Sequence, residues 1–136
     1  MSFSRPPLGL SLGTINFKLY EFDCKCGKCE PDAETVGNIQ LLMSVLQLLR
    51  GFINEPIKIN SGYRCAEHNS NVSGSAGSRH VVGLAADIDI TMYDENTVRD
   101  IWDFLTFNKV FYLNYNTHIH IDLRNQVQVS LNHKED

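Results

Sequence analysis

Residues 117–124 read Thr-His-Ile-His-Ile-Asp-Leu-Arg, and from His118 onward polar and aliphatic side chains alternate. In an extended strand successive side chains alternate, so Ile119, Ile121 and Leu123 face one way. His118, His120 and Asp122 then face the other. A strand so divided lies with its aliphatic side on a core, as in an antiparallel sheet covered on one face. The ordinary alternative for its polar face is exposure to solvent. Two histidines in three alternate positions are an unusual choice for a merely wet surface.

The neighbouring segments support a sheet. Val110–Tyr115 and Gln126–Leu131 read as strands on either side of His118–Leu123, with Arg124-Asn125 as a tight hairpin turn. Upstream, Pro56–Asn60 alternates around Ile57 and Ile59, and Ala86–Ile90 reads as another strand. Val36, Ile39, Met43, Leu46 and Leu49 recur at helical spacing and predict a helix from Pro31 to about Phe52, ended by Gly51. Val98, Ile101, Trp102 and Leu105 predict a second, from about Asp94 to Phe107. Residues 61–79 are rich in Ser, Gly and Asn, without apolar period, and are expected to form a long loop, functional or disordered. The expected class is α+β, two main helices on a small antiparallel sheet of about four strands. One domain spans 1–136, with an irregular arm at 1–20 and a polar tail at 132–136, where His133 is expected to be solvated.

Composition narrows the function. A net charge of −4 argues against a nucleic-acid partner, which would call for a basic face. No continuous apolar run of about 20 residues is evident, so no membrane span is expected. The first 20 residues lack the pattern of a secretory signal, which implies synthesis in the cytoplasm. A monomer is expected.

The second chemical phrase is Ser78-Arg79-His80…Asp87. His80 ends the long loop, Asp87 lies in a predicted strand, and Gly83 between them lets the backbone turn sharply. A lone His and Asp are more often a satisfied polar pair than a metal site. Joined by a histidine from the 118–122 strand they would offer zinc three ligands and leave a fourth position open, as catalytic sites do.

Taken together, SGYRC (61–65), HN (68–69), SGSAGSRHVVGLAADIDI (73–90) and HIHIDLR (118–124) resemble the zinc D-Ala-D-Ala carboxypeptidase family. That family includes peptidoglycan peptidases and phage endolysins, and the Hedgehog signalling domain is similar in fold. The resemblance runs from about Phe22 to Arg124. It implies zinc bound by His80, Asp87 and His120, with Arg64 holding a substrate carboxylate or carbonyl and Ser78 beside the substrate. An arginine fork suits a carboxylate well, although a surface salt bridge is its commoner use. Many members place a glutamate three residues before the last zinc histidine as general base; here that residue is Thr117. His118 is then the candidate acid/base or transition-state stabiliser, or else a group that supports the ligands from behind. Asp122 is read as orienting a neighbouring histidine or arginine. His68 is assigned to loop structure, and Asp89 to the sheet edge.

Residues 23–30, DCKCGKCE, look at first like the metal motif. Cys24, Cys26 and Cys29 with Cys65 could close a second, structural zinc site beside Arg64, a disulfide from Cys24 or Cys29 to Cys65 could do that work, or the four could be scattered free thiols. The implied function is a zinc metallopeptidase on cell-wall stem peptides, of phage or prophage type, acting at the cell wall, in the periplasm or in a virion. A non-catalytic zinc or virion structural domain of the same fold is the alternative.

Overall fold

Periodicity of the apolar residues sets the elements, and a computed structural model describes residues 15–72, 74 and 77–124. A 3-10 turn, Leu19–Phe22, precedes helix α1, Ala33–Ile53. Strand β1 is Ile59–Ser61, helix α2 is Ala66–Asn71, and a second 3-10 turn covers Arg79–Val82. Strand β2 (Ala85–Asp89), helix α3 (Glu95–Phe107) and strands β3 (Phe111–Asn114) and β4 (His118–Asp122) complete the order. The sheet runs β1-β2-β4-β3 and every neighbouring pair is antiparallel. This is the expected α+β arrangement, with a third, short helix added. The predicted strand Gln126–Leu131, the turn residue Asn125, and the ends 1–14 and 132–136 lie outside the described residues.

The alternation of β4 does what the sequence suggests. Ile119, Ile121 and Leu123 are buried together with Ile88 of β2, against Ile39, Leu42, Met43, Leu46 and Leu49 of α1 and Ile101 and Leu105 of α3. Burying an aliphatic side chain of this size contributes about 1.5–3 kcal/mol. The polar residues of β2 and β4 are thereby forced onto the opposite face.

Four sequence expectations need correction. Gly51 does not end α1; the apolar pattern continues to Ile53, and Asn54 closes the helix in the left-handed conformation, φ 56°. Pro31 lies ahead of the helix, which Asp32 caps by accepting a hydrogen bond from the Thr35 N–H. Residues 61–79 are not one loop, since they hold α2 and the start of the second 3-10 turn. Their periodicity is silent because α2 buries only Asn69. Finally, α1 is long and apolar enough, at mean hydropathy 1.4, to cross a membrane by length and composition. Its charged residues fall near its two ends, Glu34 and Arg50, and the hydropathy between them belongs in part to the core face.

Candidate metal centre

The register of β2 against β4 sets Asp87 directly opposite His120. Cross-strand partners share a face, so the carboxylate and imidazole meet without any loop to position them. The Asp87 Oδ1 lies 3.0 Å from His120 Nδ1. His80 reaches the same point from the 3-10 turn. Ser78 Oγ accepts the His80 N–H at 3.1 Å and caps that turn. Gly83 closes it at φ 80°, where an added Cβ would lie 2.9 Å from the Thr35 carbonyl oxygen.

His80 is buried, 1% exposed, and its ring is oriented by one carbonyl. Nδ1 lies 2.7 Å from the oxygen of Gly62. A carbonyl only accepts, so Nδ1 carries a proton and Nε2 is the nitrogen turned towards Asp87. Nε2 is 3.3 Å from Asp87 Oδ1, an ion-pair distance when the ring is charged, and makes no hydrogen bond among the described residues; in the neutral ring it offers its lone pair to a metal. Gly62 is itself constrained, for an added Cβ would sit 2.8 Å from the Phe22 Cα.

His120 is gripped from both sides. Its Nε2 is 2.9 Å from Asp122 Oδ2, a wholly buried carboxylate. Arg124 donates to both oxygens of Asp122 through Nε and Nη2, and its guanidinium carbon lies 3.7 Å from the centre of the Phe111 ring. Burial alone would raise Asp122, but the bonds from His120 and Arg124 outweigh it and hold its carboxyl down at about 2. Burial likewise opposes ionisation of Asp87, and the two imidazoles overcome it, leaving Asp87 well below the usual carboxylate range. For His120, burial favours the neutral ring, while Asp122 and Asp87 together raise it to about 9.

Asp87 Oδ1 lies 3.3 Å from His80 Nε2 and 3.0 Å from His120 Nδ1, and one ligand atom from each of the three residues lies within 4.8 Å of the others. Two neutral imidazole nitrogens and one carboxylate oxygen form a donor set that suits zinc and leaves a tetrahedral position free. The unpartnered buried Nε2 of His80 is the atom that most needs such an ion. The Cys24, Cys26, Cys29 and Cys65 sulfurs form a separate group of the same tightness, and all four are free thiols.

Other residues singled out from the sequence fall around this centre. The Arg64 N–H donates to the His80 carbonyl at 3.0 Å, so the two residues share one piece of backbone scaffold. Burial holds the Arg64 guanidinium below its usual value against the opposing pull of Asp87, and its Nε is buried without a partner among the described residues. His118 does not join the triad. Its Nδ1 is 3.1 Å from Thr117 Oγ1 and its ring stacks on Tyr115 at 4.7 Å. Asp89 accepts from the Thr91 N–H and hydroxyl, while His68 lies in α2. Sequence reasoning missed the Gly62 carbonyl, the Phe111 platform and the Tyr115 stack. Only the adjacency of Asp122 and Arg124 gave a signal for their pairing.

A pH dependence follows for the metal-free protein. The folded-state value of His120 lies above its unfolded value of about 6.5, so its stabilisation is complete below that pH. It is lost as pH rises towards about 9. A metal at Nδ1 must displace that proton, so metal affinity should climb over the same interval. Melting curves between these pH values should therefore fall for chelator-treated protein, and the gap to zinc-loaded protein should widen. Parallel pH slopes for the two forms would contradict the assignment.

A histidine pair and a carboxylate on the open face of an antiparallel α+β sheet define a metal-hydrolase type of centre. Residues 15–122 match the family model described as peptidase M15, and the chain belongs to that family. Over 53 residues it is 42% identical to the zinc D-Ala-D-Ala carboxypeptidase of Streptomyces albus G. That stretch is 38% of this chain and 21% of the relative, so the match spans about a fifth of the relative's length.

Proposed function

We propose that the chain is a zinc-dependent peptidase that cleaves peptidoglycan stem peptides, as a carboxypeptidase or endopeptidase. The observation that carries this reading is the buried, unpartnered Nε2 of His80 beside Asp87 and His120. Family membership and the name of the Streptomyces relative support it.

Zinc held by His80, Asp87 and His120 would supply Lewis acidity, polarising the scissile carbonyl and making water acidic enough to attack near neutral pH. The chain's own residues do the rest. Gly62 keeps the proton of His80 on Nδ1, and Asp122 fixes the ring of His120 from its far side. Arg64 anchors a free carboxylate of the stem peptide through its forked guanidinium. Replacing Arg64 by alanine removes a charge-assisted contact of about 1.5–3 kcal/mol, so kcat/KM should fall about 10- to 100-fold. Equal kcat/KM in the variant would remove Arg64 from the substrate site.

His118 carries the proton in this reading, because Thr117 stands where many relatives have glutamate. Its ring is held by Tyr115 and Thr117 while the residue stays half-buried and reachable. His118→Ala should reduce kcat about 100-fold or more, with zinc content unchanged. Unaltered turnover would exclude it as acid or base.

Peptidoglycan as substrate places the site of action at the wall or periplasm, the setting of phage and prophage lytic enzymes. The threonine at 117 favours one competing reading, a zinc-containing domain that binds without cleaving. Purified zinc-loaded protein should release peptides or D-alanine from peptidoglycan, a chelator should stop release, and zinc should restore it. No release at any pH from about 5 to 9, with zinc fully bound, would favour the binding domain instead.

A further inference from the structure

We propose that Cys24, Cys26, Cys29 and Cys65 form a second metal site, a closed tetrathiolate centre for zinc that clamps the backbone immediately after Arg64. The proposal does not depend on the peptidase reading.

Geometry carries it. Zinc–sulfur bonds of about 2.3 Å arranged tetrahedrally put the sulfurs about 3.8 Å apart. The Cys24–Cys65 sulfurs are 3.8 Å apart, Cys65–Cys26 4.0 Å and Cys26–Cys29 3.3 Å. All four sulfurs lie within 4.8 Å of one another, and none is tied up in a disulfide. Four sulfurs at near-tetrahedral spacing suit one shared ion, whereas disulfides would draw Cys24–Cys65 and Cys26–Cys29 in to about 2.05 Å.

The backbone is shaped for thiolates as well. The Lys28 N–H points at the Cys26 sulfur at 3.5 Å, the Cys65 N–H at Cys24 at 3.4 Å, and the His68 N–H at Cys65 at 3.4 Å. Such donors stabilise negative sulfur. Gly27, at φ 75°, supplies the left-handed residue that folds Cys26 back towards Cys29. A set of four sulfur ligands selects zinc or iron over magnesium or calcium.

The consequence lies in what the clamp joins. Cys24, Cys26 and Cys29 belong to the segment after the first 3-10 turn, whereas Cys65 follows Arg64 and caps α2. The Tyr63 N–H donates to the Phe22 carbonyl at 2.9 Å, so the two segments are already laced one residue before Arg64. A metal at the thiolates locks the residue after it. The same backbone carries the Gly62 carbonyl that orients His80. The cysteine centre is thus a positioning device for both the arginine and a histidine of the other site.

Metal content under reducing conditions tests this directly. The full chain should hold two zinc ions, Asp87→Ala one, and Cys26→Ser one. Cobalt exchanged into the protein should show sulfur-to-cobalt charge-transfer absorption that survives Asp87→Ala and vanishes in Cys26→Ser. Should Cys26→Ser fail to fold, an organomercurial titration of the unaltered chain should still release one zinc in step with thiol modification. Four readily titrated thiols with at most one zinc, or a mass lowered by two hydrogens per disulfide, would overturn the proposal. Failed cleavage with the cobalt–sulfur band intact would count against the peptidase reading alone.

Discussion

Asp87→Ala should remove the metal from the His80–Asp87–His120 centre and depress kcat/KM by at least about 1,000-fold. The magnitude follows from losing several kcal/mol of charge stabilisation at the reacting carbonyl, with each 1.36 kcal/mol counting tenfold. Asp87 supplies the only formal negative charge among the three ligands, and the two imidazoles alone make a weak site. The substitution also isolates function from folding. The Asp87 side chain is 19% exposed, and the partners it leaves are two imidazoles, one of which keeps Asp122. Metal analysis beside steady-state kinetics checks it, with the melting temperature as control. A variant that keeps its full metal content and activity would show that chemistry is housed elsewhere.

The second large effect is on stability. Asp122 has no exposed surface, yet it serves His120 Nε2, the Arg124 N–H and the Arg124 guanidinium at once. Breaking a buried ion pair costs about 3–5 kcal/mol when it strands the partner charge. The Arg124 side chain is 37% exposed and can turn towards water, so Asp122→Ala should fall at the lower end, about 3 kcal/mol. For a chain of this size that lowers Tm by about 10 °C. Asp122→Asn keeps the volume and should unfold far less, but it weakens the hold on His120. Zinc affinity should then drop about 10- to 100-fold. Calorimetry and a zinc titration separate the two effects. A fully stable Asp122→Ala variant would mean that the contacts of Asp122 with His120 and Arg124 are unimportant to the fold.

What the sequence made legible tracks how strongly each element depends on burial. The β4 alternation was readable because a sheet with one covered face punishes any slip of register, and Ile119, Ile121 and Leu123 record that pressure. The core faces of α1 and α3 were readable for the same reason, with small rotations. Leu42 replaces Val36 on the buried stripe of α1, and Thr97 replaces Val98 on that of α3. Helix α2 was silent, since its six residues bury one asparagine and its cap is the sulfur of Cys65. Asn54 was missed because Gly51 offers the commoner left-handed residue, although nothing in the fold asks Gly51 to use it.

The site divides along a similar line. His80, Asp87 and His120 could be gathered from strand alternation and family resemblance, and they lie together in space. The carbonyl of Gly62 could not, because backbone groups leave no compositional trace. Nor could the cradle of Arg124 and Phe111 behind Asp122, which depends on β3 pairing Phe111 opposite Asp122. Asp122 illustrates the difference most plainly. Its service to a neighbouring histidine or arginine was readable, whereas its complete burial shows only in the pairing of three strands.

Anomalous diffraction can show where zinc sits. Crystals of zinc-loaded protein, measured on either side of the zinc absorption edge, locate the ion by anomalous difference. A peak bonded to His80 Nε2, Asp87 and His120 Nδ1, at about 2.0–2.2 Å from each, is the expected result. Zinc-saturated crystals with a peak at the cysteines or at His118, and none among those three residues, would contradict it.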